Sequence, residues 1–121
     1  MNVALTPYSP LAAGRAARPD WAADTMRSKT DVVARGKYDG TEAQDASIAA
    51  RIHEIAQKYG ATMTQVTLAW HFKKGIASPV IGATKPRYLT DAAGAFDVPL
   101  TDEDVAYIDE LYLPHAVVGA L

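Results

Sequence analysis

After residue 45 the chain carries apolar residues at helical spacing. Residues that recur every three to four positions share one face of a helix. The first stretch has such residues at Ile48, Ile52, Ile55 and Tyr59. Gly60 follows at once, and glycine is common just past a helix C-terminus because it adopts a left-handed backbone conformation easily. The pattern predicts an amphipathic helix that ends before Gly60.

Three more helices are predicted behind it, and each has a recognisable start. Thr62 and Gln65 have the spacing of a capping box. Pro86 suits a first helical turn, and Thr101 precedes three acidic residues that complement a helix dipole. The apolar residues of these helices are, in order, Val66, Leu68, Ala69, Trp70 and Phe72; Leu89, Ala92, Ala93 and Phe96; and Val105, Ile108, Leu111 and Tyr112. The first of the three has the broadest apolar face and is expected to be well buried.

Two short apolar runs predict buried strands. The first, residues 3–6, stops at Pro7, and the second, residues 78–83, is too short for a helix. From about residue 10 to 45 no apolar period persists, which predicts a long surface loop with a short helix at 21–27. The order of elements gives two units of a parallel α/β architecture, and two strands alone cannot close a sheet.

Composition places the chain among ordinary folded proteins. Of its 121 residues 49% are apolar and 21% are charged, and this length suits a single hydrophobic core. A net charge of −2 with interspersed signs offers no basic surface for nucleic acid. Cysteine, a signal-peptide pattern and an apolar window of about 20 residues are all missing from the sequence. We therefore expect a cytoplasmic protein without disulfides or a membrane span.

Five blocks of the sequence resemble the aldo-keto reductases. The first, residues 6–12 (TPYSPLA), is similar to the segment after the seventh barrel strand of that family. The others are residues 52–60 (IHEIAQKYG), 64–70 (TQVTLAW), 79–84 (PVIGAT) and 114–119 (PHAVVG), the last being similar to the close of many bacterial members. Because the blocks keep their order over nearly the whole chain, the sequence is identified as a member of this family, of the NADP-dependent type.

The resemblance implies a fold and an activity. The family is a (β/α)8 barrel of about 250 residues or more. Residues 1–121 would be the C-terminal part of such an oxidoreductase domain: a partial barrel equivalent to the last two βα units plus auxiliary helices. The implied reaction is hydride transfer between nicotinamide and an aldehyde or ketone. The family's catalytic Tyr, Lys, His and Asp come from earlier strands, so no catalytic residue is expected here. His53, His71 and His115 do not match the catalytic histidine, and no metal ligand is expected.

One set of residues predicted to bind NADP follows the first strand. The set is Tyr8, Ser9, Pro10, Leu11, Gly14 and Arg15. The tyrosine stands where the family stacks an aromatic ring on the nicotinamide, although it would also suit the lining of a barrel top. The next three residues resemble the turn that passes close to the pyrophosphate. The glycine and the arginine begin the loop that folds over the cofactor in relatives.

A second set runs from the second strand into the third helix. The set is Gly82, Ala83, Thr84, Lys85, Tyr88 and Asp91. Unpaired N–H groups and the positive dipole end of a helix attract anions, and glycine permits close approach. By resemblance this segment holds the 2′-phosphate and ribose of NADP, with Arg87 nearby; a solvated helix cap is the alternative. Tyr88 replaces the family's usual Gln or Arg, and Ala92 replaces an adenine-binding Asn, while Asp91 keeps the neighbouring acidic position. The preference for NADP over NAD stays open.

Two other functions stay open. One is a non-catalytic NADP-binding or interaction module derived from the same fold, and the other is a small α/β domain without this function. Exposed strand edges and apolar helix faces predict that the isolated chain associates with itself or with a missing N-terminal barrel half. The expected ligands are a nicotinamide dinucleotide and, in the full-length family, a small carbonyl compound whose identity the sequence does not give.

Overall fold

The computed structural model describes residues 2–20 and 39–116, which are mainly helical. The α-helices in these ranges are α1 (Glu42–Tyr59), α2 (Met63–Lys73), α3 (Pro86–Ala93) and α4 (Asp102–Asp109). Short 3-10 turns lie at Ala12–Gly14, Asp39–Thr41 and Gly94–Asp97. The predicted helix at 21–27 and residues 117–119 of the last family-like block lie outside the described residues. In the described part of the chain, no helix has the length and apolarity needed to cross a membrane.

Helix α1 forms where the apolar stripe predicts it. Ile52 and Ile55 are buried, and Ile48 and Tyr59 are partly buried against the same core. Gly60 follows the helix with a φ of 61°, and its N–H points at the carbonyls of the last turn. The helix begins at Glu42, three residues inside the segment predicted as loop.

Helix α2 is the most buried element, as its broad apolar face predicts. Both hydrogen bonds of the predicted capping box are present between Thr62 and Gln65. The buried residues are Met63, Val66, Thr67, Leu68 and Ala69. Because the apolar residues surround much of the helix, α2 can contact other elements on two sides.

Helix α4 begins with a second capping box, between Thr101 and Asp104. The carboxylate of Asp104 also accepts hydrogen bonds from Lys58 (2.8 Å) and from the hydroxyl of Tyr59. These contacts join the start of α4 to the end of α1. The prediction that α4 includes Leu111 and Tyr112 is wrong, because the helix ends at Asp109.

Two hydrophobic clusters share α2. The larger joins α1, α2 and α4 through Ala49, Ile52, Ile55, Ala56, Met63, Val66, Ala69, Leu100 and Ile108. The smaller joins α2 to the α3 region through Leu68, Ala92 and Ala95, and Leu11, Phe72 and Ile81 pack against it. A structure with two clusters around one helix differs from the single core that the chain length suggests.

The prediction of two buried strands is wrong for the described residues. The segments at 3–6 and 78–83 are extended, but they form no named strand and share one isolated parallel bridge, between Tyr8 and Val80. The N–H groups of Ala77 and Ser78 also donate to the carbonyl of Leu5, at 3.2 and 3.4 Å. Their apolar side chains are exposed: 62% for Val3, 57% for Leu5 and 53% for Val80. Each segment has one backbone neighbour among the described residues, and no described element covers these side chains. Their direction is nevertheless parallel, as an α/β arrangement requires.

Helix α3 is shorter than its apolar spacing predicts. It ends at Ala93, and Phe96 falls in the following 3-10 turn. Phe96 is 77% exposed and stacks on the ring of Phe72, with ring centroids 4.9 Å apart. Leu89 is exposed as well, so the apolar face predicted for this helix is buried only at Ala92.

Candidate functional site

The two predicted binding segments lie next to each other at the parallel bridge. The N–H of Val80 donates to the carbonyl of Pro7 over 2.8 Å, beside the pairing of Tyr8 with Val80. In a parallel pair both chains leave the bridge in the same direction. Leu11 and Ile81, which come next, pack against the same cluster. The segments that begin at Tyr8 and at Gly82 therefore start from the same edge of the molecule.

The turn after Tyr8 has an uncommon backbone. Ser9, Ala12 and Ala13 have φ values of 55°, 48° and 57°, and Gly14 has 97°. Residues with a β-carbon rarely adopt this region, at a cost of about 1–2 kcal/mol each. Three such residues within five positions mark the turn as a constrained feature, of the kind that often accompanies binding sites.

Hydrogen bonds hold this turn against α2. Within the turn, the N–H of Gly14 and the N–H of Ala16 both donate to the carbonyl of Leu11. From α2, the buried hydroxyl of Thr67 donates to the carbonyl of Ala16 over 2.8 Å. Sequence analysis missed Thr67, and the available signal is a hydroxyl residue in the middle of an apolar helix face. The anchor gives the turn a fixed position relative to α2.

Two arginines follow the turn. Arg15, a predicted cofactor residue, is half-buried. Arg18, which sequence analysis missed, lies over Gly14, with its guanidinium 3.8 Å from the place that a β-carbon of that glycine would take. Its Nε atom is buried and has no hydrogen-bond partner among the described residues. The guanidinium of Arg18 therefore lies close to the backbone of Gly14, on the side where any other residue would have its β-carbon.

The second binding segment is fully open to solvent. Every residue from 82 to 90 is exposed, including Gly82, Thr84 and Lys85. Helix α3 begins after Lys85, whose side chain makes no capping hydrogen bond. By contrast, α2 and α4 each start with a capping box. Pro86 has no N–H, and the N–H of Tyr88 donates to the carbonyl of Lys85 over 3.0 Å. The first turn of α3 therefore presents the N–H of Arg87, which no side chain caps.

Positive charge surrounds the start of α3. Neither Lys85 nor Arg87 forms an ion pair with any residue that the structure describes. Arg87 donates to the hydroxyl of Tyr88 over 3.3 Å and lies 5.1 Å from the centre of its ring. This hydrogen bond, together with the charges of Arg87 and Lys85, lowers the pKa of Tyr88. The groups that lower it are the two cations already named, and neighbouring cations favour anions.

Asp91, one of the predicted cofactor-binding residues, is engaged in a protein contact. The hydroxyl of Thr62 donates to its carboxylate, at 3.0 and 3.1 Å from the two oxygens. Thr62 is the N-cap residue of α2, so the carboxylate lies against the start of that helix. Sequence analysis treated Thr62 only as a cap, because the two residues are 29 positions apart.

None of the three histidines belongs to either segment, although His71 lines a cavity together with Pro10. His53 is on α1, and His71 on α2 contacts the carbonyl of Thr67 at 2.8 Å. His115 follows α4 and is exposed. No group of three potential metal ligands occurs among the described residues. Trp70 donates to Asp109 over 2.8 Å, in agreement with a packing role for that ring.

A cavity of about 530 Å³ lies between the turn, α1, α2 and α4. Pro10 is the one predicted cofactor residue that lines it, and most of its walls are apolar. Two of its polar side chains, Lys74 and Trp70, contact Asp109, which also lines it. Because its walls come mainly from the three helices, the cavity does not coincide with the two predicted binding segments.

Comparisons with known proteins identify the family of the chain. The model of the Aldo/keto reductase family matches residues 1–113. A Schizosaccharomyces pombe protein with the provisional name aryl-alcohol dehydrogenase is 38% identical over 99% of the chain and 34% of its own length. Versiconal hemiacetal acetate reductase of Aspergillus parasiticus is 34% identical over 96% of the chain and 34% of its own length. The chain thus spans about a third of the length of these relatives. Both are fungal, and the bacterial type stays a prediction.

Proposed function

Because the chain belongs to the aldo/keto reductase family, we propose that it supplies the cofactor-binding part of an oxidoreductase that uses NADP. The family's fold is a (β/α)8 barrel, and the family generally acts on carbonyl compounds with a nicotinamide cofactor. The proposed reaction is hydride transfer between the nicotinamide and an aldehyde or ketone. One observation carries the proposal: the parallel bridge at Tyr8 and Val80 starts both family-like binding segments from one edge.

The proposed position in the barrel is the last two βα units. On this proposal residues 3–6 and 78–83 become two parallel strands when the rest of a barrel covers them, and the helices that follow them pack outside. The exposed Val3, Leu5 and Val80 support this assignment, since barrel strands are covered on both faces. Residues 1–121 would then form the C-terminal part of one oxidoreductase domain, with auxiliary helices and a loop at about 10–45.

The phosphate groups of the cofactor would be held at the start of α3. The N–H of Arg87 has no side-chain cap, and neither Lys85 nor Arg87 forms an ion pair with a described residue; together these groups fit an anion. Gly82 and Ala83 leave the approach to these groups open, and Thr84 adds a hydroxyl. The phenol of Tyr88 adds a hydrogen-bond donor while it is neutral. These features support binding of the 2′-phosphate, and hence NADP rather than NAD.

The nicotinamide and pyrophosphate would lie along the turn that starts at Tyr8. Tyr8 offers a flat ring at the end of an extended segment, where stacking on the nicotinamide requires it. Ser9 to Leu11 form the constrained turn, and Gly14 and Arg15 lie where the chain folds back. The cofactor, when bound, supplies the hydride; the residues named here bind and orient it. No catalytic residue is proposed within this chain.

The substrate is proposed only as a class, a small aldehyde, ketone or corresponding alcohol. The names of the relatives, an aryl-alcohol dehydrogenase and a hemiacetal acetate reductase, belong to that class. A cytoplasmic location is proposed with it, which a chain without cysteine suits. The alternative is a non-catalytic NADP-binding module, favoured by the placement of all three histidines on α1, α2 and the segment after α4.

Titration of the purified chain with NADPH, followed by nicotinamide fluorescence, tests the proposal. We expect saturable binding, and a Lys85→Gln, Arg87→Gln double variant should bind at least tenfold more weakly, because two unpaired charges are lost. Lys73→Gln is the matched control, since Lys73 is paired with Asp102 elsewhere on the surface. Equal affinity in all three proteins, or none in the unaltered chain, would contradict the proposal. Turnover of an aldehyde by this chain alone would contradict the absence of catalytic residues.

A further inference from the structure

Helix α3 is fixed to the molecule at its C-terminal end. Ala92 is its one buried residue, and every residue from 82 to 90 is exposed. The helix has eight residues and is therefore about 12 Å long. A tilt of ~10° about the buried end moves the first turn by roughly 2 Å over that length. The direction of the N-terminal amides thus depends on few contacts near Ala92.

Three residues make the polar contacts at that end, and we call Thr62, Gln65 and Asp91 the clasp. The hydroxyl of Thr62 donates to the Asp91 carboxylate while it accepts from the N–H of Gln65 (3.2 Å). The side-chain amide of Gln65 donates to the carbonyl of Asp91 (3.0 Å) and accepts from the N–H of Thr62 (3.1 Å). Each member is bound to both others, so none moves alone.

Gly94 shows how closely the clasp is packed. A β-carbon on this residue would lie 2.3 Å from Nε2 of Gln65 and 3.0 Å from its Cδ. The φ of Gly94 is −63°, an ordinary helical value, so the backbone does not require glycine. The requirement is for space. Gln65 cannot turn aside without breaking its two hydrogen bonds to Thr62 and Asp91.

We propose that Asp91 is a positioning residue that acts through Thr62, and that the clasp aims the first turn of α3 at the phosphate of the cofactor. The carboxylate is held by the cap of a neighbouring helix, so its contribution to binding comes from the placement of α3 and not from contact with the adenine. This inference rests on the proposed function, because it concerns the same anion site. It adds Thr62, Gln65 and Gly94 to the residues on which cofactor affinity depends.

Three substitutions break the clasp from different sides. Asp91→Ala removes the carboxylate. Thr62→Asp keeps a good helix cap, since aspartate caps as well as threonine, but places a negative charge against Asp91. Gly94→Ala adds a β-carbon that collides with the side-chain amide of Gln65 and displaces it. Gly40→Ala is the matched control, because a β-carbon there meets nothing within 4 Å. Thr62→Ser keeps the hydroxyl and should retain the affinity of the unaltered chain.

Calorimetric titration with adenosine 2′,5′-bisphosphate, and NMR titration with adenosine, separate positioning from direct contact. We expect all three variants to bind the bisphosphate about tenfold more weakly, because misaimed amides lose charge-assisted hydrogen bonds. Adenosine should bind each variant within about twofold of its affinity for the unaltered chain, because it has no phosphate that depends on the orientation of α3. Gly40→Ala and Thr62→Ser should change neither affinity.

The outcomes distinguish this inference from the proposed function. If Asp91→Ala weakens adenosine as much as the bisphosphate while Thr62→Asp changes neither, Asp91 contacts the adenine and the inference is wrong. Normal bisphosphate affinity in all three variants would also overturn it and leave the proposed function intact. No bisphosphate binding by the unaltered chain would overturn both. If Thr62→Asp does not fold by circular dichroism, Gly94→Ala and Asp91→Ala decide the question.

Discussion

The two sides of α2 differ in how completely they are closed. On one side α1 and α4 enclose α2, and Val66 is fully buried there with 0% exposure. On the other side the extended segments and α3 leave Val3, Leu5 and Leu89 exposed. On the first side α2 and α4 start with capping boxes, whereas α1 there and α3 on the second side start without a side-chain cap. The contrast indicates that the buried contacts that stabilise the fold lie mainly on the first side, and that exposed apolar side chains lie mainly on the second.

The largest expected effect comes from placing the same charge on each side. Val66→Asp buries an unpaired carboxylate in the closed side and should lower the free energy of unfolding by about 4 kcal/mol or more. Leu89→Asp falls on the open side and should change it by at most ~0.5 kcal/mol. Urea denaturation followed by circular dichroism measures both. Similar losses in the two variants would remove the distinction between the sides.

A smaller loss of stability is expected from a substitution at Asp104, which connects the end of α1 to the start of α4. Burial acts to raise the pKa of Asp104, but hydrogen bonds from Lys58, Tyr59 and Thr101 outweigh it and bring the pKa to about 2. Asp104→Asn should lower the free energy of unfolding by about 2 kcal/mol at pH 7, since it weakens a buried ionic contact. Urea denaturation at pH 7 measures the loss.

The same carboxylate sets a pH dependence. Its pKa is lower in the folded chain than the ordinary 3.8, so its stabilisation is fully present above pH 3.8 and is lost as the pH falls through about 2. The free energy of unfolding should therefore decline between these values. The decline should be smaller in Asp104→Asn, and equal slopes in the two proteins would contradict the assignment.

Thr67→Val should lower the free energy of unfolding by a smaller amount, because Thr67 joins α2 to the turn after Tyr8 by one hydrogen bond. The substitution keeps the shape of the side chain but removes the hydrogen bond to the carbonyl of Ala16. The expected loss is about 1 kcal/mol, typical of one such bond. Hydrogen exchange at Gly14 and Ala16 should become faster, because the turn loses its anchor, while exchange within α1 stays unchanged. Faster exchange throughout the chain would indicate general destabilisation instead.

The smallest effect is a titration shift on the open side. Arg87→Ala should raise the pKa of Tyr88 towards its ordinary value, because the main cause of its lowering is the hydrogen bond from Arg87. Ultraviolet titration of tyrosine ionisation, with Tyr88→Phe used to assign the signal, measures the shift. Lys85→Ala should produce a smaller shift in the same direction, since that residue acts only through its charge.

Features that depend on neighbouring residues could be predicted from the sequence. The capping box at Thr62 and Gln65, the cap at Thr101 and the glycine that follows α1 each need only a few adjacent residues. The family was also predicted, because ordered blocks carry it. The residues of the binding site stay a prediction until a ligand is bound.

Features that depend on distant residues could not be predicted. Residues 3–6 have the composition of a buried strand, yet burial requires a second covering layer that local composition does not report. Phe96 fits a helical face by spacing but lies beyond the end of α3. The bond from Thr67 to Ala16 spans 51 positions, and the bond from Thr62 to Asp91 spans 29. Neither separation has a sequence signature.

The sharing of α2 between two clusters couples events at α3 to the stability of the remaining helices. Leu68 packs towards α3, while Met63, Val66 and Ala69 on the same helix pack towards α1 and α4. A ligand that binds only the folded state raises the melting temperature with its concentration. If the nucleotide binds at α3 as proposed, that linkage extends to α1 and α4, because they share the buried helix α2 with it. Saturating nucleotide should therefore shift the whole unfolding transition rather than melt α3 separately.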